Sequence, residues 1–485
     1  MLLRLLIVLL LAAAMRFHAL AHDVRFHPDE ALFSTFARDA VALGDWRLLG
    51  DLDKPPLAIY ANALSHALVA ATYGRGVPDF DPRTGEFAAR LPGTFASLVQ
   101  VAAVYALAWR LYRRADLALW AALLVALSPF AIAYSASAYT DGLMLALASL
   151  ALWQSAARHP LWAGVWLALA FASKFQALYF LPLCALLIAI QPGAALRRDV
   201  FRLAAPLIGM AAALLAWDAL RRPSPPLFVL AAARNDPGRL LRSDEVLPHL
   251  GEWLTWGQFI VGAPTLLFTL TLAVSTVWRT VHEAARRHTM TDLILLGFGI
   301  GYFFVHWLVA FNTYDRYLLP LLPLMAVLAA RACAWLWGML RRRLSRPELI
   351  VAAGAVTLSL IGGAREAAEG RSIYNAEREA TAGIIALADT LNALPTATVI
   401  YDHWLGWSLG YYMGAWHDKR RVYYPTPGAL AEGARLLPER EPRYLPAPSN
   451  MALHVWLDAL SAAGFSAERT YAAGGYVVYR LTPPS

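Results

Sequence analysis

The stretch Leu2–Glu30, LLRLLIVLLLAAAMRFHALAHDVRFHPDE, sets an apolar run directly ahead of two adjacent carboxylates, Asp29 and Glu30. Crossing a hydrocarbon core takes about 20 mainly apolar helical residues, and Leu2–Leu20 approaches that length. Arg4, the apolar run and Ala19-Leu20-Ala21 mimic a signal peptide with its small-residue cleavage site, but the length favours an uncleaved anchor. In either case the chain that follows lies outside. Pro28 supplies the φ that suits a first helical position, so Asp29 and Glu30 fall in a first turn, where the helix dipole favours negative charge. The pattern predicts a helix from Asp29 to Ala42 that stops at Gly44, with Leu32, Phe33, Phe36, Ala40 and Leu43 as an apolar stripe lying along the membrane interface. The plain alternative is a capped surface helix whose acids serve only the dipole.

A second charged group, Asp53-Lys54-Pro55-Pro56, stands just before another apolar run, Leu57–Thr72, which reads as a second interfacial helix. Carboxylates and a lysine held against a membrane are costly to place, and that cost points to chemistry. The 485 residues are 59% hydrophobic and 16% charged, with a mean hydropathy of +0.47. A soluble chain carries about 25% charge, so the class is a polytopic α-helical membrane protein. Seventeen tryptophans and twenty tyrosines suit an interfacial aromatic belt as well as pockets. The net charge of +8 does not mark a nucleic-acid binder, because the arginines sit in short clusters between apolar runs, as topology signals and headgroup contacts do. Cys184 and Cys333 both fall inside apolar runs without metal-ligand spacing and read as small core hydrophobes.

Further spans are expected near Ala88–Leu111, Leu117–Tyr134, Asp141–Ala156, Leu161–Ala172, Phe175–Ile190, Phe201–Leu220, Phe259–Trp278, Leu293–Phe311, Tyr317–Met339 and Glu348–Gly363, about eleven in all with the first. With the N-terminus inside, four basic clusters land in the cytoplasm: Arg110/Arg113/Arg114, Arg197/Arg198/Arg202, Arg279/Arg286/Arg287 and Arg341/Arg342/Arg343/Arg346. The same count puts the loop 21–87, Ser173-Lys174, the loop Arg221–Gln258, Asn312–Arg316 and everything after Arg365 on the opposite face. The domains expected are therefore 1–364, a transmembrane catalytic domain, and 365–485, a small soluble α/β domain with alternating runs at Ala397–Tyr401 and Tyr476–Leu481.

Four stretches in this order, His27-Pro28-Asp29-Glu30-Ala31, Asp53-Lys54-Pro55-Pro56-Leu57, Phe87-Ala88-Ala89-Arg90-Leu91-Pro92 and Arg316-Tyr317-Leu318-Leu319-Pro320, resemble the bacterial branch of the GT-C glycosyltransferases, the family of protein mannosyltransferases and of the lipid A aminoarabinose transferase. The resemblance runs over roughly Met1–Gly363 and does not cover the tail. It implies transfer of a sugar from a polyprenyl-phosphate donor to a lipid, glycan or protein acceptor on the extracytoplasmic side of a bacterial inner membrane. Within that frame Asp29 is the base that takes the acceptor proton, and Glu30 orients it or binds sugar hydroxyls. The leaving phosphate needs positive charge rather than a general acid; Lys54, then Arg316, then Lys174 are the candidates, and in-line displacement inverts the anomeric carbon. His27, Asp53, Arg90, Asp141 and Asp315 are the supporting residues. No cofactor is firmly implied: His22, Asp23, His27, Asp29 and Glu30 crowd together, but their spacing fits no specific metal site and leaves a divalent metal open.

Each assignment has a plainer counterpart. Lys54 and Arg316 also fit interfacial anchors, Arg90 an anchor or the partner of a loop acid, Asp141 a helix N-terminal charge, and His306 a satisfied core histidine. Tyr401-Asp402-His403-Trp404 and Tyr411-Tyr412 offer sugar-binding faces or domain core. The alternative function is a multi-pass transporter or flippase, which concentrates its ionisable residues at mid-membrane on related halves; here they gather at one face and no half-repeat is visible.

Overall fold

The computed structural model describes all of the chain except Met1, Ser224, Val261, 263–270, Ala273, Val277, 279–285, Leu344, 372–380, 438–440 and Ser485. Most of the expected span Phe259–Trp278, together with Arg279, therefore lies outside the described residues. Two compact units emerge: Met1–His22, Arg47–Asn62 and Arg90–Tyr374 form the first, and Asp23–Trp46, Ala63–Ala89 and Asn375–Ser485 form the second.

Numbered over the described residues, the helices are α1 Leu2–Leu20, α2 Pro28–Ala42, α3 Leu57–Tyr73, α4 Pro82–Tyr112, α5 Ala115–Ala126, α6 Pro129–Ser135, α7 Asp141–Ala156, α8 Pro160–Ser173, α9 Phe180–Ala189, α10 Leu196–Arg221, α11 Leu227–Asn235, α12 Val246–Gly257, α13 Arg286–Leu308, α14 Leu322–Leu340 and α15 Arg346–Ala368. Four more follow in the tail: α16 Ile384–Asn392, α17 Gly406–Tyr412, α18 Pro427–Leu436 and α19 His454–Ala462. Among the described residues five helices are long and apolar enough to cross a membrane, Leu2–Leu20, Pro82–Tyr112, Leu196–Arg221, His288–Leu308 and Asp315–Leu340. A sixth joins them if α5 and α6, bent by 54°, make one broken span.

That bend divides the run expected as a single span at Leu117–Tyr134. Ser128 caps α6 through Ala131 N at 3.1 Å, and Pro129 follows it, so the turn restarts there. The carbonyls freed at the end of α5 are answered by Arg16, which is fully buried: it donates to Val125 O at 3.0 Å, Ala126 O at 2.9 Å and Ser97 Oγ at 2.8 Å. Phe175–Tyr179 and Asp315–Leu321 are 3-10 turns that open their apolar segments instead of joining them as one regular helix. The stretch Arg221–Gln258, expected as a loop, contains α11 and α12. The core of this unit runs through α4, α5, α6, α7, α8, α9 and α14, with Val104, Leu107, Leu124, Phe130, Leu152, Leu167, Phe180 and Leu322 all buried.

In the second unit a five-stranded mixed sheet, ordered β2-β1-β3-β5-β4, is built from β1 Val399–Asp402, β2 Arg420–Tyr423, β3 Arg443–Pro448, β4 Ser466–Ala473 and β5 Tyr476–Thr482. β1 runs parallel to β2 and β3, while β5 is antiparallel to β3 and β4. Gly474 and Gly475, at φ +58° and +83°, make the two-residue turn that lets β4 fold back onto β5. Leu430 and Ala434 of α18 and Trp456 and Leu460 of α19 pack with Val399, Tyr401, Leu445 and Leu481.

Candidate active site

The acidic motif belongs to the second unit. α2 begins at Pro28, with His27 as its N-cap at φ −61° and ψ 151°. The His27 Nδ1 accepts from Asp29 N at 3.2 Å, and Glu30 Oε2 accepts from His27 N at 3.1 Å. The two neighbouring carboxylates are thereby given different work. Glu30 closes a capping box and is fully buried; Asp29, half-buried, is the one that solvent reaches. The buried face of α2 is Glu30, Ala31, Phe33, Ser34, Ala37, Arg38 and Ala40, rotated from the stripe expected, and Leu43 is exposed. That face meets α17. Arg38 donates to the α17 carbonyls Gly410 O at 3.1 Å and Tyr411 O at 2.6 Å, a cation at a helix C-terminus. The Tyr412 hydroxyl accepts from Phe26 N at 2.7 Å and donates to Glu86 Oε1 at 2.5 Å, while Glu86 pairs with Arg25 at 3.3 Å. Tyr401, Tyr411 and Tyr412 are therefore interior residues that hold the motif helix and the sheet, which removes them as sugar-binding faces. His403 and Trp404 remain half-buried, packed against Trp456 with ring centroids 4.4 and 5.1 Å away.

The basic residues belong to the first unit. Lys54 Nζ lies 2.7 Å from Asp53 Oδ2, and Arg234 of α11 reaches the other oxygen of Asp53 at 3.6 Å. α7 starts at Asp141 and α8 ends at Ser173, so the antiparallel pair brings Asp141 and Lys174 to the same end of the bundle. There Lys174 Nζ meets Asp141 Oδ1 at 2.6 Å with both side chains buried. Arg316 lies over the Tyr139 and Tyr314 rings at 4.8 and 5.1 Å, a cation–π seat. Asp315 accepts the Arg316 backbone N–H at 2.7 Å and the Tyr134 hydroxyl. Lys174 Nζ lies 5.5 Å from the centroid of the ring of Tyr317, the neighbour of Arg316 in sequence, and the charges of Arg316 and Lys54 are both within electrostatic reach of it. The named groups number four cations, Lys54, Lys174, Arg234 and Arg316, against three carboxylates, Asp53, Asp141 and Asp315; the excess is positive, as an anion site requires.

The segment bearing Lys54 is itself held. Arg221, at the end of α10, donates to Leu48 O at 2.6 Å and Gly50 O at 2.8 Å and pairs with Asp218 at 3.1 Å. Arg90 is 4% exposed inside α4, so it is not a snorkelling anchor. His306 bonds Tyr302 O at 2.9 Å and stacks on the Tyr302 ring at 4.1 Å, a satisfied core histidine. Sequence reading missed Arg234 and the aromatic seat of Arg316; the apolar run Leu227–Ala233 ahead of Arg234 was the signal for α11. It also missed charges inside the bundle away from this cluster. Asp292 bonds Arg331 at 3.2 Å and the Tyr112 hydroxyl at 2.5 Å, and Arg16 holds the α5–α6 break. Each is internally satisfied. Among the described residues no three His, Cys, Asp or Glu side chains gather as metal ligands.

A family model described as dolichyl-phosphate-mannose-protein mannosyltransferase matches residues 53–217, a span that contains Lys54, Arg90, Asp141 and Lys174. No curated protein matches the chain by sequence. Among solved structures, ArnT from Cupriavidus metallidurans bound to undecaprenyl phosphate superposes with a TM-score of 0.60 at 15% identity, over 99% of this chain and 97% of ArnT. The archaeal oligosaccharyltransferase AglB from Archaeoglobus fulgidus, in complex with an inhibitory peptide and a dolichol-phosphate, gives 0.58 at 12% identity, over 99% of this chain and 74% of that one. The Archaeoglobus fulgidus oligosaccharyltransferase complex with zinc and sulfate gives 0.58 at 13% identity, over 98% and 72%. The chain has the GT-C-type fold of these solved structures, and is a multi-pass membrane protein.

Proposed function

We propose that this GT-C chain is a glycosyltransferase that moves a sugar from a polyprenyl-phosphate donor to a lipid, glycan or protein acceptor on the extracytoplasmic face of a bacterial inner membrane. In this reading the transmembrane catalytic domain is 1–364 with about eleven spans, and 365–485 is an extracytoplasmic domain engaged with the acceptor. The observation that carries the reading is that Lys54 and Arg316, from distant parts of the chain, stand within electrostatic reach of Lys174.

The leaving phosphate gathers negative charge as the glycosidic bond breaks, and a preset positive field stabilises that charge more in the transition state than in the bound donor. Lys54, half-buried, meets the phosphate directly; Lys174, buried against Asp141, supplies charge from beneath; Arg316, seated on tyrosines, is the second direct contact. Asp29 takes the proton of the attacking hydroxyl as it bonds the anomeric carbon. Glu30 is engaged in capping, which leaves Asp29 as the better candidate for this role. In-line attack inverts the anomeric centre. A flippase is the less favoured reading, because the buried charges inside the bundle are bonded to one another or to carbonyls instead of lining a path.

The test is mass spectrometry of envelope lipids, glycans and glycoproteins from a strain lacking the chain. Loss of one sugar mass from a defined acceptor, restored by the wild-type gene, supports transfer and identifies sugar and acceptor together. An unchanged envelope glycome under growth conditions where the chain is expressed contradicts it.

A further inference from the structure

At the other end of the same helices lies a second basic site. α7 runs 16 residues from Asp141 to Ala156, about 24 Å at 1.5 Å per residue, so its C-terminus is roughly a membrane core away from the Lys174 cluster. There a cavity of about 280 Å³ is lined by Arg110, Arg113, Arg158, Gln191 and His288, with Leu111 and Pro192. No carboxylate lines it. The volume sits at the low end for small-molecule sites and suits one headgroup.

Helix capping accounts for part of this arrangement. Arg110 donates to Ala156 O at 3.3 Å and Ala157 O at 3.4 Å, and Arg158 donates to Pro192 O at 2.7 Å and to Gly193 O, cations set against helix-end carbonyls. Capping does not account for Arg113, which is exposed and whose side chain has no hydrogen-bond or ionic partner among the described residues. The backbone at both arginines is itself helix-cap geometry, with Arg113 N–H bonded to Trp109 O at 2.9 Å and His159 N–H to Gln154 O at 2.9 Å, but capping does not explain the residue type chosen. Arg113 and Arg158 stand at φ +54° and +65°, the left-handed region where glycine is the inexpensive choice and a residue with a side chain is strained. Two arginines in that conformation at neighbouring helix ends mark positive charge retained at a cost in strain. The chain leaving the cavity at Pro192 leads into a groove along Leu196–Ala204, where Arg197 and Arg198 flank the exposed Leu196 and Phe201.

We infer that the cavity between the ends of α4, α7, α9 and α13 is a phosphate-binding site, independent of the transfer chemistry, that takes the headgroup of an anionic phospholipid whose acyl chain lies along Leu196–Ala204. The guanidiniums of Arg113 and Arg158 bind the phosphodiester, Arg110 completes the positive wall, His288 offers a ring nitrogen, and Gln191 offers an amide to the glycerol side. The same phosphate chemistry would also accept a soluble phosphate, and the experiment separates the two sources.

Thermal unfolding of the full-length protein in neutral detergent is titrated with short-chain phosphatidylglycerol, short-chain phosphatidylcholine or inorganic phosphate. The expected result is a saturable rise in Tm with phosphatidylglycerol and none with phosphatidylcholine. Arg113→Gln, which breaks no bond among the described residues, keeps the unliganded Tm and weakens the apparent affinity on the order of tenfold; Arg113→Lys retains most of it. A response to inorganic phosphate equal to that of the lipid supports the site with a soluble ligand. The inference is overturned if neither anion gives a saturable shift, if Arg113→Gln titrates as wild type, or if Arg341→Gln, in a different basic loop, weakens binding equally.

Discussion

The acidic motif and the basic cluster are held in opposite ways. His27–Glu30 is organised by its own four residues: proline at the first position, a histidine cap and a reciprocal glutamate, all within one turn. The basic cluster is local only in part: Lys54 pairs with Asp53 and Arg316 lies over Tyr314, but nothing nearby in sequence brings the cations together. Lys54, Lys174, Arg234 and Arg316 are assembled by helix pairing and by acids and aromatic rings up to 181 residues away in sequence, the separation of Arg234 from Asp53. A locally built group tolerates loss of a distant partner but fails with one substitution nearby; a group built from afar shares its load. The variants below test that contrast.

The largest effect is expected in the local group. Asp29→Asn keeps shape and removes the proposed proton acceptor, so single-turnover transfer is expected to fall on the order of 10²–10⁴-fold with donor binding nearly intact. Next comes the buried pair. Asp141→Asn leaves Lys174 charged and unpaired inside the bundle, at a cost of about 3–5 kcal/mol seen as lower unfolding temperature and weaker donor binding. Lys54→Ala, at a half-buried site, weakens donor binding roughly 10–100-fold and slows turnover with it, and Lys54→Arg restores part of the binding because charge returns in a different shape.

Smaller effects probe how the motif helix is seated. Tyr412→Phe removes the acceptor of Phe26 N–H and one donor to Glu86, which keeps Arg25, and costs about 1–3 kcal/mol of stability of the second unit, read from its denaturation midpoint. The smallest concerns Asp402, whose carboxyl is pushed up by burial, against the backbone N–H of Leu405 and the charge of Arg421. A raised folded pKa makes its contribution fully present below the unfolded value of about 4 and lost as pH rises through the folded value. Asp402→Asn, which keeps the acceptor for Leu405, should therefore raise Tm slightly at pH 7 and leave it unchanged below about pH 4, as circular dichroism melts across pH would report.

What was legible in the sequence follows the same division. Pro28, Asp29 and Glu30 announced α2 to within a residue because a helix start is a local event, and the alternating runs at Ala397–Tyr401 and Tyr476–Leu481 became β1 and β5. The order of the sheet and the docking of α2 on α17 were not legible, since Arg38 and Tyr412 carry no sign of partners more than 370 residues away. Hydropathy alone placed a single span over Leu117–Tyr134, because it does not register that Ser128-Pro129 restarts the helix. Arg234 was hidden for a related reason: a nine-residue helix is too short for periodicity to declare.

In the proposed reaction a glycosyl–phosphate bond is broken. Its most direct measurement supplies the purified wild-type chain with a polyprenyl-phosphate sugar carrying one label on the sugar and another on the prenyl chain, together with envelope extract as acceptor. If that bond breaks, the two labels separate: the sugar label passes to an acceptor, the prenyl label remains as polyprenyl phosphate, and Asp29→Asn stops the separation while still binding the donor. Labels that stay together while the intact lipid exchanges between leaflets of a reconstituted vesicle would contradict it.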